Sequence, residues 1–267
     1  MKKINTLIQG ACGRMGRSIA ALTKKNDDFN MVFPAEHENH ESLEKDFSEV
    51  TGIFVKSVPV GIITSFSPEN IDVVVDFSNP EACMAALDYA CENKIPFVSG
   101  TTGLSNENKK QLEEASKKIP LIHSSNMSQG VNVLFYVLEK AAELTCAFDS
   151  EIIEKHHNRK QDAPSGTAIS LAKIVAEARK KNLSEIEKNG RSGISPRNKD
   201  EIGIHAVRGG TITGEHTVIF AGQNETIELT HRAQNREIFA DGALAAAKWL
   251  AGRQKPGFYS MRHVLGL

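Results

Sequence analysis

A chain of 267 residues, 40% hydrophobic and 24% charged, suits one large globular domain or two modest ones and argues against intrinsic disorder. Its formal charge of −1 provides no global basic field, and no basic stripe with interleaved aromatics occurs, so nucleic acid is set aside as a partner. No apolar run is long enough to cross a membrane, and Cys12, Cys83, Cys91 and Cys146 form no Cys-x-x-Cys pair, which speaks against a zinc site or a disulfide framework. With no apolar leader, Met1-Lys2-Lys3-Ile4 running straight into a strand, small-molecule chemistry in the cytoplasm is the expectation.

Residues 4–9 read as a buried strand. They lead directly into Gly10-Ala11-Cys12-Gly13-Arg14-Met15-Gly16, after which Ile19, Ala20 and Leu22 trace a helix. A glycine-rich turn between strand and helix is the first turn of a dinucleotide fold. Gly10 permits the tight turn, Gly13 lets the backbone approach a pyrophosphate, and Gly16 lets the helix pack on the strand. The spacing is G-x-x-G-x-x-G, not the commoner G-x-G-x-x-G. A second strand over 31–35 ends at Glu36, placed to accept hydrogen bonds from the adenosine ribose. His37 follows, with no adjacent arginine to neutralise a 2′-phosphate. NADH is therefore expected to serve at least as well as NADPH, unless Arg14 or Arg17 compensates.

Residues 38–50 are acidic and polar and read as a loop with little helix. Strands resume at 60–63 and 71–77, the latter an apolar run of the kind buried in a parallel sheet. A helix over 82–91 and a strand over 95–98 lead to Ser99-Gly100-Thr101-Thr102-Gly103, a small-residue turn against which a nicotinamide and its ribose could lie. A helix over 105–118 and a strand over 120–123 follow. Then Ser124-Ser125-Asn126-Met127 precedes a long apolar helix over 131–147. The alternation predicts an α/β domain with a Rossmann-like, doubly wound parallel sheet over residues 1–127, completed by 237–267 through a returning helix at 238–249. Residues 128–236 form the second domain. It reads as α+β with a mixed or antiparallel sheet, from a helix over 167–181, a charged mobile loop over 188–193, and strands over 202–207, 214–220 and 226–232.

The chemistry concentrates in Glu154-Lys155-His156-His157-Asn158-Arg159-Lys160-Gln161-Asp162-Ala163-Pro164-Ser165-Gly166-Thr167-Ala168. The run 150–153 is extended, so His156 and His157 sit where a strand leaves its sheet. Ser165 is the expected N-cap of a helix marked by Ala168, Leu171, Ala172 and Val175, whose first N–H groups, at Gly166 and Thr167, attract a carboxylate or phosphate. Lys160 and Arg159 add positive charge, so the inferred substrate is an anion with at least one carboxylate. Each feature alone has a plainer reading, as a structural histidine, a solvated cationic loop or an ordinary cap. Their clustering in a chain that also carries a nucleotide turn favours catalysis. Hydride delivered to an imine-like carbon leaves electron density that a proton must quench, and an imidazole is a suited donor. His205, His216 and His231 lack partners at metal-ligand spacing and are expected to be structural, with no metal.

The turn Gly10 to Gly16, Gly100-Thr101-Thr102-Gly103 and the stretch Glu154 to Ala168 resemble the 4-hydroxy-tetrahydrodipicolinate reductase (dihydrodipicolinate reductase) family. So do Val207-Arg208-Gly209-Gly210, Gly214-Glu215-His216-Thr217 and Gly257-Phe258-Tyr259-Ser260-Met261, and the likeness spans the chain. The resemblance implies NAD(P)H-dependent reduction, with loss of water, of a small cyclic dicarboxylate to tetrahydrodipicolinate in lysine and diaminopimelate biosynthesis. It implies His156 as proton donor and Lys160 as a second donor or substrate-holding charge, with His157, Gly166 and Thr167 on the substrate carboxylates. It implies that Gly10, Ala11, Cys12, Gly13, Arg14, Met15, Glu36, Gly100, Thr101, Thr102, Ser124, Ser125, Asn126 and Met127 line the cofactor site, in a homotetramer assembled through the second domain's sheet. His37 and Met127 depart from the family pattern, where an arginine and an aromatic are common. A semialdehyde or amino-acid dehydrogenase is a rival reading. The phosphorylating semialdehyde kind needs a nucleophilic thiol at the catalytic domain's entry, and Cys146 lies in an apolar helix. A redox-sensing regulator would need a partner surface or DNA-binding helix, for which nothing in the sequence argues.

Overall fold

The computed structural model describes residues 2–253 and 255–267. They divide into two compact units, one reaching from the first described residues to Gln129 and resuming over Glu237–Leu267, the other spanning Gly130–Arg236. In chain order the first unit contains β1 (Ile4–Gln9), α1 (Arg14–Thr23), β2 (Phe29–Glu36), α2 (Phe47–Thr51), β3 (Gly61–Ile62), β4 (Val73–Asp76), α3 (Pro80–Glu92), β5 (Phe97–Ser99), α4 (Asn106–Ser116) and β6 (Pro120–His123). Helix α5 (Gln129–Leu144) opens the second, followed by β7 (Asp149–His156), α6 (Gly166–Ala178), α7 (Leu183–Ile186), β8 (Glu187–Asn189), β9 (Ile202–Arg208), β10 (Glu215–Ala221) and β11 (Thr226–Arg232). The chain then returns to the first unit as α8 (Glu237–Ala251), β12 (Gly257–Tyr259) and α9 (Met261–Leu265).

Among the described residues, the first unit's sheet has seven strands in the order β12-β6-β5-β4-β1-β2-β3, all paired in parallel. Each side chain of β4 is buried, as befits a central strand covered on both faces. Each large apolar side chain so enclosed contributes roughly 1.5–3 kcal/mol relative to leaving it in water. Strand order reverses between β1 and β4, and the crevice beyond the carboxyl ends of those two strands is where such sheets bind ligands. Helix starts are capped locally. Asn79 accepts from Ala82 N–H with Pro80 following it, and Ser105 forms a capping box with Asn108.

The second unit's sheet has the order β11-β10-β7-β9-β8, with β7, β9 and β8 mutually parallel and β10 antiparallel to both neighbours. It is therefore mixed. Ile152, Ile204, Val218 and Phe220 from the strands pack with Leu171, Ala172 and Val175 of α6 and Leu138 of α5 to form its core.

Two local expectations change, and one motif that carried no structural expectation takes a definite form. The region expected to be mostly loop contains α2, because Asp46 accepts from the N–H groups of Ser48 and Glu49 and Gly52 closes the turn at φ 73°. The segment expected to be a mobile loop at 188–193 begins inside β8, and Arg191 reaches Glu151 at 3.0 Å. The motif Gly257-Phe258-Tyr259 forms β12, which extends the first sheet beyond β6.

Candidate active site

In the first unit, the turn after β1 is held by contacts that admit no side chain. Gly10 has φ 78°, and a Cβ there would lie 2.8 Å from Phe77 O; one on Gly16 would lie 2.2 Å from Gly10 O. Gly13 is the exposed N-cap of α1 and supplies no side-chain acceptor to the first backbone N–H groups of that helix, the kind of terminus at which anions bind. Ala11 and Cys12 are buried, Met15 is half-buried and Arg14 is exposed. Burial, and secondarily the Glu36 carboxylate, pushes the Cys12 thiol up to about 11, which leaves it protonated and inert. Cys12 N–H donates to Glu36 Oε1 at 2.7 Å, and Arg17 Nε donates to Cys12 O at 2.7 Å. Glu36 thus pins the glycine turn as well as ending β2. It also borders a cleft of about 590 Å³ together with His37, Ile62 and Ala82, a size suited to a nucleoside.

The turn after β5 is built around Asp76, which sequence reasoning left without a role. Its buried carboxylate accepts from Ser99 Oγ at 2.8 Å and Thr101 Oγ1 at 2.7 Å, and also from Ser78 Oγ. Thr101 Oγ1 in turn accepts from Ser78 N–H at 2.9 Å, so this side chain works inward, while Thr102 is exposed. The Phe77 ring lies 2.2 Å from where a Cβ on Gly100 would sit. Ser124 N–H donates to Ser99 O at 3.1 Å and Ser124 Oγ donates to Asn126 O at 2.8 Å; Ser125 is exposed. Met127 is enclosed in the core, and its carbonyl oxygen occupies the space a Cβ on Gly242 would need. Its side chain therefore packs inward and presents no surface to a ligand.

In the second unit, strand alternation places Ser150, Ile152, Glu154 and His156 on the face that α6 covers. Cross-strand register sets Arg208 of β9 opposite His156, and His216 of β10 opposite Glu154. Glu154 has no exposed surface. It accepts two Arg208 hydrogen bonds at 2.7 Å, Ser165 N–H at 2.9 Å and His156 Nδ1 at 2.7 Å. Burial alone would raise its pKa, but these donors together hold the carboxyl below the usual range, so it is ionised. The His156 ring meets the His216 ring edge-on at 5.2 Å. Burial, with His156 nearby, pushes His216 down to about 4, so it is neutral; its Nε2 bonds Ser165 Oγ at 2.9 Å.

Ser165 is the N-cap of α6, as the sequence implies, and its Oγ accepts from Ala168 N–H. A Cβ on Gly166 would meet nothing within 4 Å, so the helix start is open on that side. Thr167 follows in the same first turn. Lys160 Nζ lies 2.8 and 2.9 Å from the two oxygens of Asp162, which is thereby held below its ordinary pKa. His157 accepts from Arg236 at Nε2, 3.1 Å, and desolvation together with Arg236 and Arg159 lowers its pKa. His156, His157, Lys160, Gly166 and Thr167 thus gather at one end of β7 and the start of α6. Arg208, Gly214 and His216 belong to the same neighbourhood; their motifs were visible in the sequence, but their register against β7 was not. Among the described residues no group of His, Cys, Asp and Glu side chains is arranged to hold a metal, and no helix is long and apolar enough to cross a membrane.

Comparison with known proteins decides the class. Residues 4–127 match the family model for the N-terminus of dihydrodipicolinate reductase, and residues 130–265 match that for its C-terminus. The chain belongs to the dihydrodipicolinate reductase family. It is 45% identical over 266 residues to the 4-hydroxy-tetrahydrodipicolinate reductase of Caldanaerobacter subterraneus subsp. tengcongensis, covering 98% of each chain. It is 43% identical over 255 residues to the enzyme of the same name from Archaeoglobus fulgidus, covering 95% of this chain and 96% of that one. A solved dihydrodipicolinate reductase from Paenisporosarcina sp. TG-14, with dipicolinate bound, superimposes with a TM-score of 0.76 at 25% identity, covering 97% of this chain and 98% of that one. The reductase is an oxidoreductase of lysine and diaminopimelate biosynthesis acting on 4-hydroxy-tetrahydrodipicolinate, and its Rossmann-like half implies a pyridine nucleotide.

Proposed function

We propose that His156 is the proton donor in this reduction and that Lys160, His157 and the N–H groups of Gly166 and Thr167 hold the substrate carboxylates. A reduced nicotinamide, when bound, supplies hydride. The residues proposed to hold it are Gly10 to Met15 and Glu36 at the first turn, with Gly100 to Thr102 and Ser124 to Asn126 at the later ones. Backbone turns that exclude a Cβ at Gly10, Gly16 and Gly100 suit a flat, charged dinucleotide. The observation that carries the donor assignment is the bond between an ionised Glu154 and His156 Nδ1. A carboxylate can only accept, so Nδ1 carries hydrogen and Nε2 is the nitrogen left to exchange a proton. Lys160, already ion-paired to Asp162, would exchange that partner for a substrate carboxylate as the dicarboxylate settles at the α6 start.

Glu36 accepts from Cys12 N–H and would repel a 2′-phosphate, which supports use of NADH at least as readily as NADPH. Steady-state kinetics with the unstable hydroxy-dicarboxylate generated in situ by its synthase, run with each cofactor, tests both points. His156→Ala should lower kcat about 10²-fold with modest change in KM. Full turnover by that variant would show the donor to be misassigned, and a large kcat/KM preference for NADPH would overturn the reading of Glu36. We also place the enzyme in the cytoplasm as a homotetramer joined through the five-stranded sheet, where β11 is largely exposed and Val207 and Ile227 present apolar surface. Sedimentation equilibrium reads that assembly directly.

A further inference from the structure

We infer that Glu154 is a positioning residue for proton transfer: it selects the His156 tautomer with hydrogen on Nδ1 and so leaves Nε2 to exchange the proton, while Arg208 keeps Glu154 anionic. The inference rests on the reading of His156 as donor. A carboxylate offers about four acceptor positions. Here the Arg208 guanidinium fills two at 2.7 Å, Ser165 N–H one at 2.9 Å and His156 Nδ1 one at 2.7 Å. Arg208 and Ser165 N–H can only donate, and they hold Glu154 in its charged form; against a charged carboxylate His156 Nδ1 must donate as well.

Arg208 is tethered independently, donating also to Asp162 O at 2.7 Å, so the guanidinium does not depend on Glu154 alone for its place. On the opposite side of the imidazole, a Cβ at Gly214 would lie 3.1 Å from His156 Nε2. Glycine at 214 leaves that nitrogen uncovered where almost any other residue would crowd it. The ionisable groups around His156 are Glu154 on its own strand, Arg208 on β9, His216 on β10, and His157 and Lys160 on the loop that follows, the last paired to Asp162. Of these, Glu154 alone contacts the ring through a charged hydrogen bond at Nδ1, and it therefore sets which nitrogen exchanges.

A purely structural clamp would also bury a carboxylate among donors, so the test reads a property that a clamp would not move. In Glu154→Gln, kcat should fall about tenfold to 10²-fold while KM for the dicarboxylate changes less than about threefold. In ¹⁵N-histidine spectra of the variant, the neutral His156 ring should no longer be held with hydrogen on Nδ1, because a glutamine amide can donate to that nitrogen as well as accept from it. Binding of NADH and of pyridine-2,6-dicarboxylate, measured by calorimetry, should persist. An unchanged tautomer in the variant overturns the inference, whether kcat is unchanged or falls together with dicarboxylate binding.

If the variant fails to fold, ¹⁵N-histidine spectra of the unaltered enzyme decide the matter: the neutral His156 ring should show a protonated Nδ1 and a bare Nε2. The reverse tautomer refutes the assignment. Failure of the underlying reading looks different, since it would appear as full turnover by His156→Ala whatever the tautomer.

Discussion

The two halves of the enzyme, as their sites are proposed, would handle negative charge by opposite means. In the first, the proposed dinucleotide turn is a backbone device: Gly10, Gly16 and Gly100 are glycine because neighbouring backbone or an aromatic ring already fills the space a Cβ would take. In the second, Gly166 stands in open space at a helix start, and the recognition proposed above falls to the side chains around it, Lys160 and His157, backed by buried Glu154 and its partner Arg208. A glycine demanded by packing and a glycine demanded by a ligand look alike in a sequence. They part company once the volume around each is known.

Substitution separates the two kinds. The largest effect is expected at Gly16, where a methyl would lie 2.2 Å from Gly10 O and 2.6 Å from Ala11 Cα. Gly16→Ala should destabilise the first unit by about 3 kcal/mol and lower NADH affinity with it, as thermal melts and calorimetry would show. An unaltered melt would mean that the turn relaxes and the packing argument fails.

The acid response of the second half is next in size. His216 titrates at about 4 in the folded chain against 6.5 in the unfolded one, so between those values the unfolded state binds the extra proton. Its contribution is complete above pH 6.5 and is lost as pH falls toward 4, amounting to about 2 kcal/mol at pH 5. Hydrogen exchange at β10 at pH 5 and pH 7.5 should show that slope in the unaltered enzyme and a shallower one in His216→Gln. Equal slopes would remove His216 from the account.

The smallest effect sharpens the contrast most. Gly166→Ala should melt normally, because nothing lies within 4 Å of the added methyl, yet bind pyridine-2,6-dicarboxylate about tenfold more weakly, a loss of about 1.4 kcal/mol. A variant that lost stability instead would place Gly166 with the packing glycines.

Local signals carried much of this organisation. The strand, glycine turn and helix at the start of the first unit are contiguous, as are the Ser165 cap and the helix it opens, so spacing and propensity alone expose them. Strands β6 and β11 fall where their hydrophobic patterns end. What escaped was non-local or too short to show a period. β8 is three exposed residues, Glu187, Lys188 and Asn189, whose composition is that of a loop and whose strand character comes only from pairing with β9. Glu154 meets Arg208 and His216 through sheet register, and nothing in the spacing of those residues announces that alignment. The Asp76 knot joins two separate segments in the same way.

The return of the chain through α8 and β12 bears on how the protein is made. Synthesis proceeds from the amino end, and domains tend to fold as units as they emerge. The second unit is one uninterrupted stretch, Gly130–Arg236, so nothing it needs is translated after it. The nucleotide half must wait with its sheet unfinished beside β6 and the groove that receives Gly242 vacant, until residues translated after the whole second unit arrive to close it.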